Sequence, residues 1–173
     1  HCISSAASDV YKRQMLVFDA LIVNQDRHAN NHGFLRDNRT GRILGPAPLF
    51  DHNMSLFKND MRADWEGGAW IPQVLSERQP ANSRMTFRDQ CAAIMGSAQH
   101  EMLRKTLDVT LENDPAYPLE PGRIEALNDY LHAAARSLLE LPVVDESKLS
   151  DQLDALQPSI EHAPVILNER LLR

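Results

Sequence analysis

Cysteine is almost missing from this 173-residue chain, with only Cys2 and Cys91 present. Two thiols, one of them within a few residues of the start, provide no disulfide framework, so a reducing cytoplasm is the expected compartment. Long hydrophobic runs are missing too. The longest strictly apolar stretches, such as Ala20-Leu21-Ile22-Val23, are a few residues long, against the roughly 18 to 20 needed to cross a bilayer. Positive charge is in deficit, with 18 Lys and Arg against 24 Asp and Glu and a net charge of −6. That sign is wrong for a surface that neutralises phosphates, so neither direct nucleic-acid binding nor a membrane is expected. With 43% hydrophobic residues, 24% charged residues and only 7 glycines, the composition is that of one soluble globular domain with tails.

Residues 1–14 have neither the basic start nor the continuous apolar core of a signal peptide. Ser4 to Gln14 resembles translated adapter sequence at the end of a contig, so this segment is set aside as foreign and the natural protein is expected to begin upstream. Met15 to Asn24, nearly all apolar and free of Gly and Pro, predicts a buried helix. After the polar loop 25–32, Gly33 to Asp37 and Arg42 to Leu44 flank Asn38-Arg39-Thr40-Gly41 and predict a β-hairpin. Gly45-Pro46 is expected to break its second strand. Residues 54–84 carry Gly67, Gly68, Pro72 and Pro80 without a sustained period and predict a long loop with at most short helices.

Thr86 with Asp89 three positions on marks a helix start, and Ser97 a cap for the next helix, with Leu103, Leu107 and Leu111 on one face. Pro121 opens the clearest helix, carrying Ile124, Leu127, Leu131, Ala134, Leu138 and Leu141, and Pro142 closes it. An acidic tail, 143–173, is expected to hold a short helix around 146–156. Cys91, beside Ala92 and Ala93, reads as a small core residue. His100, His132 and His162 read as surface or partly buried residues rather than ligands. Trp65 and Trp70 read as loop anchors with no site role.

The chemistry-bearing stretch is Asn24-Gln25-Asp26-Arg27-His28-Ala29-Asn30-Asn31, followed by Phe50-Asp51-His52. Phosphoryl transfer needs a carboxylate to orient and deprotonate the attacking hydroxyl, together with oxygen ligands for magnesium beside the γ-phosphate. An Asp with an Asn five positions later supplies a base and one ligand on a tight loop. A second Asp at the end of a nearby strand supplies the other.

These residues resemble the C-terminal lobe of HipA-like serine/threonine kinases, the toxin-type bacterial kinases whose catalytic loop reads Asp-x-His-x-x-Asn. The helix Phe18-Asp19-Ala20-Leu21-Ile22-Val23-Asn24 is similar to the one that family places before the loop. Phosphatidylinositol 3- and 4-kinases share Asp-Arg-His-x-x-Asn, but their second motif is Asp-Phe-Gly, whereas here it is Asp51-His52-Asn53. The motifs cover about residues 15–57.

The resemblance implies a mostly helical α+β fold, a kinase-like lobe over 15–142 whose short hairpin leads to the metal-binding Asp. It implies Asp26 as catalytic base, Asn31 and Asp51 as magnesium ligands, and Arg27 and His28 as loop-organising residues. It also implies ATP and Mg²⁺ as cofactors, a protein substrate phosphorylated on Ser or Thr, and room for an antitoxin-type partner. Asn31 is preferred to Asn30 because its distance from Asp26 is the kinase spacing. No G-x-G-x-x-G or G-x-x-x-x-G-K-S/T occurs, so the nucleotide-holding N-lobe is expected to be missing and the fragment inactive alone.

Three other readings compete. The Asx-rich loop could merely cap a helix and fix turns. A pseudokinase or interaction module could keep the fold without transfer. A metal-dependent hydrolase could draw ligands from Asp26, His28, His32, Asp51 and His52, although no H-E-x-x-H or C-x-x-C accompanies them.

Overall fold

A computed structural model describes residues 5–60, 71–81 and 83–145. It is a mixed α/β arrangement, mostly helical, with one two-stranded antiparallel hairpin. The helices are α1 (Ser5–Ile22), α2 (Ile71–Glu77), α3 (Phe87–Ile94), α4 (Ser97–Thr106) and α5 (Arg123–Leu139), and the strands β1 (Phe34–Arg36) and β2 (Ile43–Pro46). Among the described residues no helix is long and apolar enough to cross a membrane.

α1 is the central element, packed against α3, α4 and α5. Its Met15, Leu16, Val17, Ala20 and Leu21 are buried, as the apolar stretch predicts. The helix starts well before that stretch, at Ser5, so part of the segment set aside as foreign is continuous with it. The polar residues there find buried partners that local hydropathy does not register. Arg13 is 4% exposed, and its guanidinium donates to the Ile94 carbonyl at 3.0 Å and to Gln99 Oε1 at 2.9 Å. Tyr11 donates its hydroxyl proton to the Ala47 carbonyl at 3.1 Å, tethering the hairpin exit to α1.

Arg13 also explains a shifted helix start. The cap of α4 is Gly96, not Ser97, and a Cβ on Gly96 would stand 1.5 Å from the Arg13 Nη2. Glycine is needed there to admit the guanidinium. α4 ends at Thr106, leaving Leu107 at its cap and Leu111 beyond it, so the expected three-leucine face is cut to one turn and a loop. Thr86 does cap α3: its Oγ1 accepts from the Asp89 amide at 3.1 Å. α5 begins after Gly122, whose φ of 82° is the left-handed region, and buries Leu127, Leu131, Ala134 and Leu138 on the predicted stripe. Tyr130 fills the centre, donating to the Ala20 carbonyl at 2.9 Å and meeting Phe57 edge-on at 4.8 Å.

In the hairpin Phe34 pairs with Pro46 and Leu35 with Gly45, with an irregularity between Leu35 and Arg36. Gly45-Pro46 therefore continues β2 instead of breaking it. Among the described residues each strand has an unpaired side, and a proline that lacks an N–H is tolerated on such an edge. Asp37 fixes the turn by accepting from the Arg39 and Thr40 amides at 2.9 and 2.7 Å, and these bonds hold its carboxyl below the usual range. Cys91 is fully buried in the core, as its neighbours predicted. The expected tail helix, Trp65, Trp70 and His162 lie outside the described residues.

Candidate functional site

The site is built where α1 stops. Val23 N–H bonds the Ala20 carbonyl at 3.4 Å and Asn24 N–H the Asp19 carbonyl at 2.9 Å, the paired closure in which the penultimate residue is left-handed. Glycine usually occupies that place, yet here it is Val23 at φ 51°, held because its side chain is only 2% exposed. The turn reverses the chain and starts the loop 24–32. Asn24, fully buried, then works at both ends: Nδ2 donates to Asp19 Oδ1 at 3.1 Å while Oδ1 accepts from the Asp26 amide at 3.2 Å.

Arg27 is the hub. It is 3% exposed and faces Asp19, which is 2% exposed. Nε donates to Asp19 Oδ2 and Nη2 to Oδ1, both at 2.8 Å, a bidentate geometry suited to the planar guanidinium. The remaining donors reach out of this pair. Nη1 bonds the Asn31 carbonyl at 2.6 Å and the Phe50 carbonyl at 3.0 Å, and Nη2 lies 3.1 Å from His52 Nδ1. A guanidinium only donates, so His52 Nδ1 accepts and its proton sits on Nε2. The His52 ring also meets Phe18 edge-on at 5.4 Å. One side chain thus joins α1, the Asp26–Asn31 loop and the loop carrying Asp51.

Backbone bonds extend the seam: Gln25 N–H to the Met54 carbonyl at 3.4 Å and Leu56 N–H to the Ile22 carbonyl at 2.7 Å. The loops bearing Asp26 and Asp51 are therefore stitched side by side. Asp51 lies beyond the hairpin proper, in the loop after β2, exposed and left-handed at φ 57°, a conformation Asp tolerates better than most residues. Asp26 is half-buried. Asn31 is 3% exposed and its Nδ2 donates to the Asp26 carbonyl at 3.0 Å. Asn30 is exposed. His28 caps the short 3-10 turn Ala29–Asn31, its Nδ1 accepting from the Asn30 amide at 3.3 Å.

Electrostatics follow burial. Desolvation pushes the Asp19 carboxyl up, and the hydrogen bonds and charge of Arg27 oppose it. His32 is 1% exposed and neither ring nitrogen is in hydrogen-bonding geometry; desolvation lowers its pKa below the usual 6.5, the nearby His28 backbone opposes this, and the Arg27 and Lys12 charges add to the lowering. His100 and His132, both partly buried as expected, lie against the Leu141 and Val109 carbonyls at 3.0 and 2.7 Å.

Among the described residues no three or more His, Cys, Asp or Glu side chains are grouped to hold a metal ion. The hydrolase ligand set is accordingly not assembled: His32 is walled in, and His52 Nδ1 is taken by Arg27. Asp26, Asn31 and Asp51, two carboxylates and one amide, stand on the two adjoining loops. With Asn31 Nδ2 turned to Asp26, its Oδ1 is the atom left for other contacts. Such hard oxygen donors suit magnesium. Two nearby cavities flank this set without being lined by it. One, about 800 Å³, lies between α1 and α4, and the other, about 510 Å³, beside residues 53–58.

Asp19 and Asn24 brace this loop, and motif reading left both without a role. A lone carboxylate inside the apolar run 15–23 was the signal for Asp19. Comparison of the chain with protein-family models, with curated proteins and with solved structures gives no match.

Proposed function

We propose that this chain is the C-terminal lobe of a HipA-like kinase that transfers the ATP γ-phosphoryl group to a Ser or Thr hydroxyl of a protein. What carries the reading is the hydrogen-bonding of Arg27 to both the Asn31 and the Phe50 carbonyls, which sets the loop of the candidate base beside the loop of the second Asp. A loop that only capped α1 would have no need of that second tie.

In this reading Asp26 orients the substrate hydroxyl and accepts its proton. Asn31 and Asp51 would hold magnesium, which supplies charge neutralisation on the phosphates when bound. Arg27 and His28 set the loop, and Asp19 sets Arg27. The glycine-rich loop and lysine that hold a nucleotide's phosphates have no counterpart in the sequence, so the 173-residue chain alone is expected not to turn over ATP. The cytoplasm is the compartment that goes with this reading, a protein its substrate, and an antitoxin-type protein a partner that the resemblance allows.

The test is ATP turnover by the protein joined to a nucleotide-binding lobe. Asp26→Ala and Asp51→Ala should each abolish Mg-dependent phosphoryl transfer. Transfer that survives Asp51→Ala, or Mg-dependent autophosphorylation by the isolated chain, contradicts the reading.

A further inference from the structure

The larger cavity, about 800 Å³, is a cleft between α1 and α4 with mostly apolar walls: Phe18 and Ile22 from α1, Ala98 and Met102 from α4, and Val109 beyond the end of α4. Its Leu21 and Leu131 are buried, whereas Val109 is 43% exposed, so the apolar surface runs from the core out to water. The exposed polar side chains that α4 adds, Glu101 and Lys105, pair with each other at 3.5 Å. A cleft of this lining and size suits an apolar occupant.

The chain itself brings one to this place. After α5 it is pinned twice at the start of α4: His100 lies 3.0 Å from the Leu141 carbonyl, and the Val144 N–H donates to the Met95 carbonyl at 2.8 Å. Asp145 is the last described residue, and residues 146–173 follow it. They include Leu149, Leu153 and Leu156, spaced by four and three, the stripe of an amphipathic helix. Ser147 is a cap-type residue ahead of the stripe, and Pro158 bars its continuation. Asp151 and Asp154 fall on the opposite side of such a helix. Leu149 comes five residues after Val144, a reach of up to roughly 17 Å, and the cleft begins at Ala98, three residues after Met95. The lengths match as well: Leu149 to Leu156 and Ala98 to Lys105 each advance seven positions, about 10 Å of helix.

We propose that the cleft between α1 and α4 is the docking site of the chain's own segment 147–157, which lies along it as a helix with Leu149, Leu153 and Leu156 turned inward. Leu149 enters beside Ala98, and Leu156 lies toward Val109. Anchors at i, i+4 and i+7 filling an apolar trough are the helix-in-groove mode of recognition. The short tether from Val144 keeps the segment at an effective concentration on the order of millimolar, while its two aspartates stay in water. One wall of the cleft, Phe18, also meets the His52 ring at 5.4 Å, so the docked segment braces the ring that backs the Asp51 loop. The proposal uses none of the residues given a catalytic or metal role, and either can fail without the other.

The test is methyl NMR on the full 173-residue chain with labelled Ile, Leu, Val and Met side chains. Nuclear Overhauser contacts from the methyls of Leu149, Leu153 and Leu156 to those of Ile22, Met102 and Val109 are expected. Leu153→Asp should remove them and shift the Met102 and Val109 methyls, with the core methyls of Ile94 and Leu103 unmoved, whereas Asp154→Asn on the outer side should leave every contact in place. Absence of these contacts in the unaltered chain, or their survival in Leu153→Asp, overturns the proposal. Contacts that appear only between differently labelled copies in a mixed sample overturn it too, because a second chain would then be the occupant.

Discussion

Arg27 and Asp19 form a bidentate ion pair, Nε to Oδ2 and Nη2 to Oδ1, both at 2.8 Å, with neither side chain more than 2% exposed. Arg27 carries its remaining donors to Asn31, Phe50 and His52. The pair is thus the structural key to the candidate site. Asp19→Asn leaves a buried guanidinium uncompensated and should destabilise the fold by about 3–5 kcal/mol, read from urea unfolding midpoints. Arg27→Lys is expected to cost nearly as much, because an ammonium cannot make the planar two-oxygen contact and reach two carbonyls besides. A loss below about 1 kcal/mol for both would remove the hub role.

Acid should weaken the protein through His32. Its folded pKa lies below the usual 6.5 because of burial, with the Arg27 and Lys12 charges adding to it. The unfolded chain therefore takes up the proton first. Stability is intact above about pH 6.5 and falls as pH drops below it toward the depressed folded value. Unfolding midpoints at pH 7.5 and pH 5.5 should differ for the natural sequence and converge for His32→Leu. An unchanged difference in that variant would place the acid sensitivity elsewhere.

Cys91 should be inert in the folded state. It is fully buried, and desolvation pushes its thiol up to about 12, so almost no thiolate forms at pH 8. Alkylation mapped by peptide mass spectrometry should find Cys91 unlabelled until denaturant is added. Rapid native labelling would show that the core opens.

Gly96→Ala should cost about 1–3 kcal/mol, because the new methyl would displace an Arg13 guanidinium held by the Ile94 carbonyl and Gln99. The cost should shrink when Arg13→Ala is already present, since the two changes share one space. Additive effects in this double-mutant cycle would break the link between them.

The helical stripe from Leu127 to Leu138, the Thr86 cap and the hairpin turn were legible because each rests on local rules of periodicity, capping or turn chemistry. The misses share a cause. Helix α1 reaches back to Ser5 and α4 is capped by Gly96, and Arg13, between Ser5 and the apolar stretch, finds partners more than eighty positions away. No local pattern encodes that. At the site, spacing singled out Asp26, Asn31 and Asp51 and the family resemblance added Arg27 and His28, whereas the parts played by Asp19 and Asn24 emerged from the side-chain hydrogen bonds. Left-handed Val23 at the helix end was likewise hidden, since glycine is the usual marker of such a closure.

The most direct test of the phosphoryl-transfer reading is where a divalent ion binds. Manganese, a paramagnetic stand-in for magnesium, should be titrated into the ¹⁵N-labelled chain with amide line broadening as the readout. The expected result is broadening that begins at residues 26–31 and 50–53 together and is lost in Asp51→Ala. Broadening that spares these two loops, or that persists unchanged in the variant, would contradict a shared metal site between Asn31 and Asp51.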